Sequence, residues 1–163
     1  MAMTLNGAIA RNHNELVGWT SKEDKKLFSR ESKRAGVVIM GRRTYDTIGK
    51  PLKDRFNIVL TSNPQKEEDE RGVLEFTNKP LRALLLDLEK RGYHKAAVIG
   101  GSNINGQFLK ENLIDEIIVS IEPIIFGKGV PLFAPTDCEV KTALIKIEKI
   151  NDNTITLYYK VIK

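Results

Sequence analysis

The segment "VVIMGRRTYDTIGKPLKDRFNIVLTS" at residues 37–62 decides the fold, because it holds two apolar strands joined by a short helix. "VVIM" at 37–40 is apolar throughout, and "FNIVLT" at 56–61 is similar in character. Strands without polar alternation are buried on both faces, which is typical of parallel sheets covered by helices. "GRRTYDTIG" at 41–49 predicts a brief helix between glycines. The segment therefore predicts a strand, helix, strand unit of a parallel sheet.

Further helices and strands extend this pattern on both sides. A helix over 21–35 is expected to open at Ser21 and close at Gly36. "PLRALLLDLEKRG" at 80–92 predicts a helix with its leucines on one face. The remaining predicted elements are strands at 73–76, 95–101 and 115–124 and a helix at 104–113. Helices that alternate with apolar strands predict a mainly parallel sheet with helices on its faces.

Toward the C-terminus the pattern changes to a two-residue period. "VKTALIKIEKI" at 140–150 and "TITLYYKVI" at 154–162 alternate in polarity around the turn signal "NDN". This arrangement predicts an antiparallel hairpin at one edge of the sheet. The sequence as a whole predicts an α/β fold in a single domain over residues 1–163.

Composition excludes several classes of protein. With 163 residues, 41% hydrophobic and 29% charged, the chain has the size and character of one globular domain. Its apolar runs are far shorter than the ~20 residues of a membrane span, and it lacks a basic leader, so a cytosolic protein without membrane contact is expected. Cys138 has no cysteine partner, and His13 and His94 lie too far apart in sequence to suggest a metal site. The net charge of +5 is spread along the chain, which favours solubility over nucleic-acid binding.

Two strand ends carry features of phosphate-binding sites. "VIMGRRTY" runs from a buried strand through Gly41 into two arginines and Thr44. "AVIGGSNI" has paired glycines at 100–101, which would let a pyrophosphate approach the backbone. Each motif alone is more often turn geometry or surface charge, but their combination in one small domain favours a nucleotide site. Neither matches a P-loop or the full three-glycine Rossmann fingerprint.

A third candidate is Asp24 in "GWTSKEDKKLF" at 18–28. Ser21 with Asp24, or Thr20 with Glu23, matches a capping box, which is the ordinary interpretation of this spacing. If Asp24 instead turns inward beside Phe28, it becomes a desolvated carboxylate suited to bind a protonated heterocycle. The sequence leaves both alternatives open.

Taken together and in order, three segments resemble the dihydrofolate reductases: "GWTSKEDKKLF", the segment at 38–62 and "VIGGSNINGQFL" at 98–109. The resemblance spans most of the chain. It implies a mainly parallel central sheet of about eight strands flanked by helices. It also implies reduction of dihydrofolate, a small-molecule substrate, with NADPH as cofactor and no metal. A monomer is expected, with a homodimer as the open alternative.

The resemblance also implies roles for individual residues near the pterin. Asp24 matches the carboxylate that hydrogen-bonds the pterin ring, and Trp19 resembles the tryptophan of the mobile loop. Ser120 replaces the usual threonine that supports the carboxylate through water, and keeps its hydroxyl. The implied substrate-binding residues are Asp24, Phe28 and Ile48 around the pterin and benzoyl rings and Arg55 at the glutamate carboxylate of the substrate.

The implied cofactor-binding residues follow the ends of three strands. Arg42 and its neighbours match positions around the phosphates, including the adenosine 2′-phosphate that separates NADPH from NADH. The paired glycines match a family pair whose linking peptide is cis. The full set is Gly41, Arg42, Arg43, Thr44, Leu60, Thr61, Ser62, Ile99, Gly100, Gly101, Ser102, Asn103 and Ile104.

Some residues depart from the family pattern and keep alternatives open. Asn6 stands where an acid is frequent, and Asn103 and Asn105 replace a basic residue and a tyrosine. The opening "TLNGAIA" at 4–10 partly resembles the riboflavin-pathway pyrimidine reductases, which use NADPH on a related fold. That activity is the second hypothesis, and a non-catalytic nucleotide- or nucleic-acid-binding module is the third.

Overall fold

The computed structural model describes residues 1–15 and 17–163. The helices are α1 (Lys22–Ala35), α2 (Arg42–Ile48), α3 (Leu81–Lys90) and α4 (Ser102–Lys110). The strands are β1 (Ala2–Thr4), β2 (Ala8–Ala10), β3 (Val37–Gly41), β4 (Phe56–Leu60), β5 (Leu74–Thr77), β6 (Ala97–Val98), β7 (Glu116–Glu122), β8 (Val130–Pro131), β9 (Thr142–Lys149) and β10 (Ile155–Val161). They belong to two compact units, one made of Met1–Phe28 and Ser102–Lys163 and the other of Ser29–Gly101. A single domain over residues 1–163 stays a prediction.

The second unit is built on a parallel sheet with the strand order β5-β4-β3-β6. The four residues Val37–Met40 of β3 are fully buried, as are Ile58 and Val59 of β4. Full burial of such a side chain contributes about 1.5–3 kcal/mol before the entropy cost of folding is counted. The two strands that have no polar alternation in sequence are therefore the core of this unit.

Helix α3 buries the leucines that the sequence places on one of its faces. Leu81, Leu84 and Leu88 are buried on one face, whereas Leu86 on the opposite face is 58% exposed. The i, i+3, i+7 spacing puts the three buried leucines on one side of a helix. Pro80 precedes the first turn, where its missing N–H costs no helical hydrogen bond. The helix predicted at 80–92 is confirmed.

The first unit contains a mixed sheet in the order β1-β7-β10-β9. β1 pairs with β7 in parallel, and β10 pairs antiparallel with both β7 and β9. The turn between β9 and β10 is held by Asn151, whose Oδ1 accepts hydrogen bonds from the N–H groups of Asn153 and Thr154. The predicted C-terminal hairpin is confirmed. A separate two-stranded sheet pairs β2 with β8.

The α/β class, the helices and a parallel sheet are confirmed, but one sheet of about eight strands is not. The described residues form a parallel sheet of four strands, a mixed sheet of four and a sheet of two. The expected strand at 95–101 pairs with β3 only at Ala97–Val98, where the ladder of that sheet ends. No helix in the described part of the chain is long and apolar enough to cross a membrane.

Candidate active site

The carboxyl ends of β3 and β4 lie side by side in the second unit, together with the first of the paired glycines. Gly41 is paired with Leu60 in the ladder. The N–H of Gly41 donates to the carbonyl of Gly100 at 2.8 Å, and the N–H of Thr61 donates to Thr77 at 3.0 Å. Parallel strands place their carboxyl ends at the same edge, where ligands of open α/β sheets bind. Three of the predicted segments therefore meet at one edge.

The peptide between Gly100 and Gly101 is cis, as the resemblance implies. Gly100 has a φ of 103°, a backbone conformation that residues with a side chain rarely adopt. The N–H of Ile99 donates to the carbonyl of Ile39 at 2.9 Å, which holds the pair at the end of β3. A Cβ added to Gly101 would lie 3.5 Å from Oγ1 of Thr44. The hydroxyl of Thr44 thus borders the bare backbone of the glycine pair.

Arg42 begins α2 and is held by two carboxylates. Its Nε donates to Asp46 at 2.7 Å, and its Nη1 forms an ion pair with Glu67. The guanidinium also lies 5.4 Å from the ring centroid of Phe76. The hydrogen bond to Asp46, followed by that to Glu67, raises the pKa of Arg42 against the opposing effect of burial. Arg42 is therefore a fixed positive charge, while the neighbouring Arg43 is exposed.

Hydroxyl groups line the loop that follows β4. Oγ1 of Thr61 accepts a hydrogen bond from the N–H of Asn63, and Oγ of Ser62 accepts one from Nδ2 of Asn63, both at 3.3 Å. Ser62 is exposed. Both hydroxyls keep donor capacity for a ligand oxygen.

Arg55 lies in the loop before β4 and is half-buried. Its Nε donates to the carbonyl of Lys53 at 2.9 Å, and its Nη1 donates to Oγ of Ser32. Burial lowers the pKa of Arg55, and the neighbouring Asp54 acts in the opposite direction. Ile48, the other predicted substrate-binding residue of this unit, is half-buried at the end of α2.

Asn57 supports the Arg55 loop and is missing from the sequence-based site. It is fully buried in β4. Its Nδ2 donates to the carbonyls of Leu52, Arg55 and Val73, and its Oδ1 accepts from the N–H of Leu52. An amide within the apolar run "FNIVL" is the signal that could have identified it, because a buried amide needs polar partners.

Asp24 in the first unit is only 8% exposed. Its N–H donates to Oγ of Ser21 at 3.2 Å, so half of the expected capping box exists. The reciprocal bond is absent, because the N–H of Ser21 donates to Oε1 of Glu122 at 2.8 Å instead. Within residues 1–15 and 17–163, the carboxylate of Asp24 has no hydrogen-bond donor. Burial lowers the pKa of the Met1 amino group, and the charge of Asp24 opposes that shift.

Glu122 is a second residue that sequence reasoning missed. It is 4% exposed at the end of β7. One carboxylate oxygen accepts from Ser21, and the other accepts from the hydroxyl of Thr154 at 2.9 Å. A charged residue inside the apolar stretch before Pro123 was the available signal. Glu122 takes over the capping role and leaves the Asp24 side chain available for a ligand.

Trp19 and Ser120 both have neighbours other than Asp24. Trp19 packs edge-on against Phe126 with ring centroids 5.2 Å apart, and its Nε1 is buried without a hydrogen-bond partner among the described residues. Ser120 is 1% exposed, and its hydroxyl pairs with that of Thr156 at 3.1 Å. Phe28, the remaining predicted residue of this unit, is half-buried on α1.

The start of α4 adds one unusual group. Ser102 is 5% exposed, and its Oγ is buried without a hydrogen-bond partner. Asn103 is exposed and Ile104 is half-buried. Asn105 has a structural bond, since its Nδ2 donates to the carbonyl of Leu132 at 2.7 Å. The unpaired hydroxyl of Ser102 is the group in α4 that is best suited to a polar ligand. Among the described residues, no group of three or more His, Cys, Asp or Glu side chains could hold a metal ion.

Comparison with known proteins extends these observations. The family model described as dihydrofolate reductase matches residues 1–125. The dihydrofolate reductase of Buchnera aphidicola subsp. Baizongia pistaciae is 30% identical, covering 99% of this chain and 98% of its own. The uncharacterized protein YwjB of Bacillus subtilis is 29% identical, covering 98% and 94%. The structure of a putative riboflavin biosynthesis protein from Shewanella sp. PV-4 has a TM-score of 0.79 at 26% identity, covering 100% and 97%. On this evidence, the chain belongs to the dihydrofolate reductase family.

Proposed function

We propose that this protein reduces 7,8-dihydrofolate to 5,6,7,8-tetrahydrofolate with NADPH. The observation that carries the proposal is Asp24, a residue only 8% exposed whose carboxylate accepts no hydrogen bond from the rest of the described chain. Its oxygens therefore keep their acceptor capacity for hydrogen-bond donors of a ligand. A flat heterocycle with ring N–H and amino donors is a fitting partner for a carboxylate.

The proposed reaction adds one hydride and one proton across a carbon–nitrogen double bond of the pterin. The hydride is added to the ring carbon and the proton to the adjacent ring nitrogen. Asp24 accepts hydrogen bonds from the pterin and stabilises the positive charge that protonation creates. An aligned charge of this kind contributes most in a site that excludes water.

The residues around the glycine pair fit the phosphate and ribose groups of a dinucleotide. Arg42 and Arg43 supply positive charge, Thr44 supplies a hydroxyl, and the bare backbone of 100–101 allows close approach. The buried hydroxyl of Ser102 can donate a hydrogen bond to an oxygen of the dinucleotide. When bound, NADPH supplies the hydride, and the protein supplies orientation and electrostatics.

Arg55 is proposed to bind the glutamate carboxylate of the substrate. Its guanidinium is held by Lys53 and Ser32, and Asn57 fixes the carbonyl of Arg55 itself. A planar guanidinium suits a carboxylate because it offers two parallel N–H donors.

The substitution Asp24→Asn tests the proposal. We expect turnover of dihydrofolate at neutral pH to fall by about 10²- to 10⁴-fold, the range for loss of an acid–base group, with NADPH affinity near normal. Turnover is measured by NADPH oxidation, and affinity by fluorescence titration. Glu23→Gln, on the adjacent half-exposed position of the same turn, is the matched control and should keep turnover. Unchanged turnover in D24N would remove Asp24 from the mechanism.

Reduction of a ribosylated pyrimidine is the second candidate. It is favoured by the likeness to the putative riboflavin biosynthesis protein, which extends over the whole chain. NADPH oxidation with each substrate separates the two activities. Arg55→Ala adds a second criterion. It should raise KM for dihydrofolate, whose glutamate carboxylate Arg55 is proposed to bind, but should not raise KM for the pyrimidine, which has no such carboxylate.

A further inference from the structure

Strand β9 is an exposed edge strand with an unusual number of apolar side chains. Seven of its eight residues are exposed. Leu144, Ile145 and Ile147 are 50%, 56% and 58% exposed, and Ile155 on the adjoining strand is 37% exposed. Scattered apolar residues are common on protein surfaces, but a contiguous cluster on an open sheet edge is typical of an interaction surface.

The backbone of β9 has unpaired groups on its outer side. β9 pairs only with β10 among the described strands. The N–H of Ile150 donates to the carbonyl of Thr154, so the backbone N–H and C=O of Ile150 point toward the β10 side. In an antiparallel ladder the direction alternates along the strand. Lys146 and Glu148 therefore also point toward β10, whereas Ile147 points its N–H and C=O toward the open edge.

The charges on β9 are self-complementary in one antiparallel register. If Ile147 of two copies face each other across a two-fold axis, Lys146 of each copy lies opposite Glu148 of the other. In that register the two Ile147 residues exchange both of their outward backbone hydrogen bonds. Residues opposite each other share a face of the sheet, so both ion pairs can form. Backbone direction and side-chain charge thus select the same alignment.

We propose that β9 pairs with β9 of a second copy of this chain to form a homodimer with a continuous antiparallel sheet. A two-fold interface uses the same patch on both subunits, as this register does. Lysines on an edge strand usually oppose such pairing. Lys146 and Glu148 form an ion pair at 2.7 Å within each strand, and in the dimer each Lys146 also has a Glu148 of the other copy facing it. The bulge at Ile145 lies outside the central three residue pairs. The exposed Leu144, Ile145 and Ile155 side chains flank the junction and lose water-accessible apolar surface.

Sedimentation velocity of the full chain tests the proposal. The wild-type protein should have twice the monomer mass of 18.4 kDa. Ile147→Lys puts like charges at the two-fold axis and should yield monomers. Leu86→Lys, which replaces an equally exposed leucine on α3, is the matched control and should stay dimeric. A wild-type monomer at all concentrations, or a dimer that persists in I147K, would overturn the proposal.

A charge exchange tests the register even if I147K fails to fold. Lys146→Glu alone places two acids opposite each other and should weaken dimerisation by roughly tenfold. The double variant K146E/E148K restores opposite charges across the axis and should recover the dimer. Thermal unfolding by circular dichroism reports whether each variant is folded. A double variant that dimerises no better than K146E would overturn this alignment.

Discussion

Replacing Glu67 with glutamine is expected to increase the preference for NADPH over NADH. The carboxylate of Glu67 forms an ion pair with Arg42, one of the residues that the family resemblance matches to the cofactor's phosphates, including the adenosine 2′-phosphate. A carboxylate at this position competes with the phosphate for the guanidinium N–H groups and repels its negative charge. Glutamine keeps the size of the side chain and removes that charge. The affinity for NADH, which lacks the phosphate, should change little.

The magnitude follows from the exposure of the pair. The side chains of Arg42 and Glu67 are 38% and 22% exposed, so solvent screens their interaction. Ion pairs of this kind contribute up to about 1 kcal/mol, which corresponds to roughly fivefold in affinity. We therefore expect the ratio of kcat/KM for NADPH to that for NADH to rise about two- to fivefold. The hydrogen bonds to Asp46 and Glu67 raise the pKa of Arg42, so it stays charged across the assay range.

The assay is steady-state kinetics with both cofactors at low and high ionic strength. The effect of E67Q should shrink at high salt, because salt screens exposed charges. Glu68→Gln, on an exposed neighbouring residue, is the control and should leave the ratio unchanged. Arg42→Ala should lower the ratio whether or not Glu67 is present. If R42A lowers the ratio and E67Q does not change it, Glu67 does not compete with the phosphate and the reasoning is refuted.

Three further substitutions test the packing within each of the two units. Asn57→Ala removes four hydrogen bonds from a fully buried position. The free energy of unfolding should fall by about 3 kcal/mol, which lowers Tm by roughly 6–12 °C in calorimetry. An unchanged Tm would contradict the role of the amide. Gly129→Ala would bring its Cβ within 2.5 Å of Cβ of Ala8. Urea unfolding should therefore show a free energy of unfolding lower by about 1–3 kcal/mol. Wild-type stability would mean that the backbone near β2 and β8 shifts at little cost. Asn6→Asp replaces the Nδ2 donor to the carbonyl of Phe126, at 2.7 Å, with an oxygen. At neutral pH the carboxylate cannot donate to that carbonyl, so a loss of about 1 kcal/mol in the free energy of unfolding is expected. The loss should shrink as the pH falls toward ~4, because the protonated acid can donate again; a loss that does not vary with pH would exclude this cause.

Local patterns were sufficient for most of the secondary structure. The unbroken apolar runs of β3 and β4 and the leucine spacing of α3 identify these elements because each signal is confined to one element. The division into three sheets was not predictable in the same way. Only Ala97–Val98 of the segment expected to be a strand at 95–101 joins a ladder, and the pairing of a short strand depends on its neighbours in the fold.

The site was predictable in its residue types and less so in its side-chain roles. The sequence left Asp24 with two alternatives, and Glu122, far along the chain, accepts the Ser21 N–H that a complete capping box would give to Asp24. Asn57 is similar, since its three donor bonds reach residues on both sides of β4. Such polar residues organise a site through partners that are distant in sequence, and a single sequence does not reveal those partners.

The order of strands in the first unit has a consequence for synthesis on the ribosome. Its sheet contains β1 from the start of the described chain, and β10 lies between β7 and β9. The second unit, by contrast, is one continuous segment, Ser29–Gly101. Domains form as their residues emerge, and distant pairings are slow because long loops must close first. The segment that carries Arg42 and the glycine pair is thus complete once residue 101 has been made, whereas the sheet of the first unit must wait for residues 155–161.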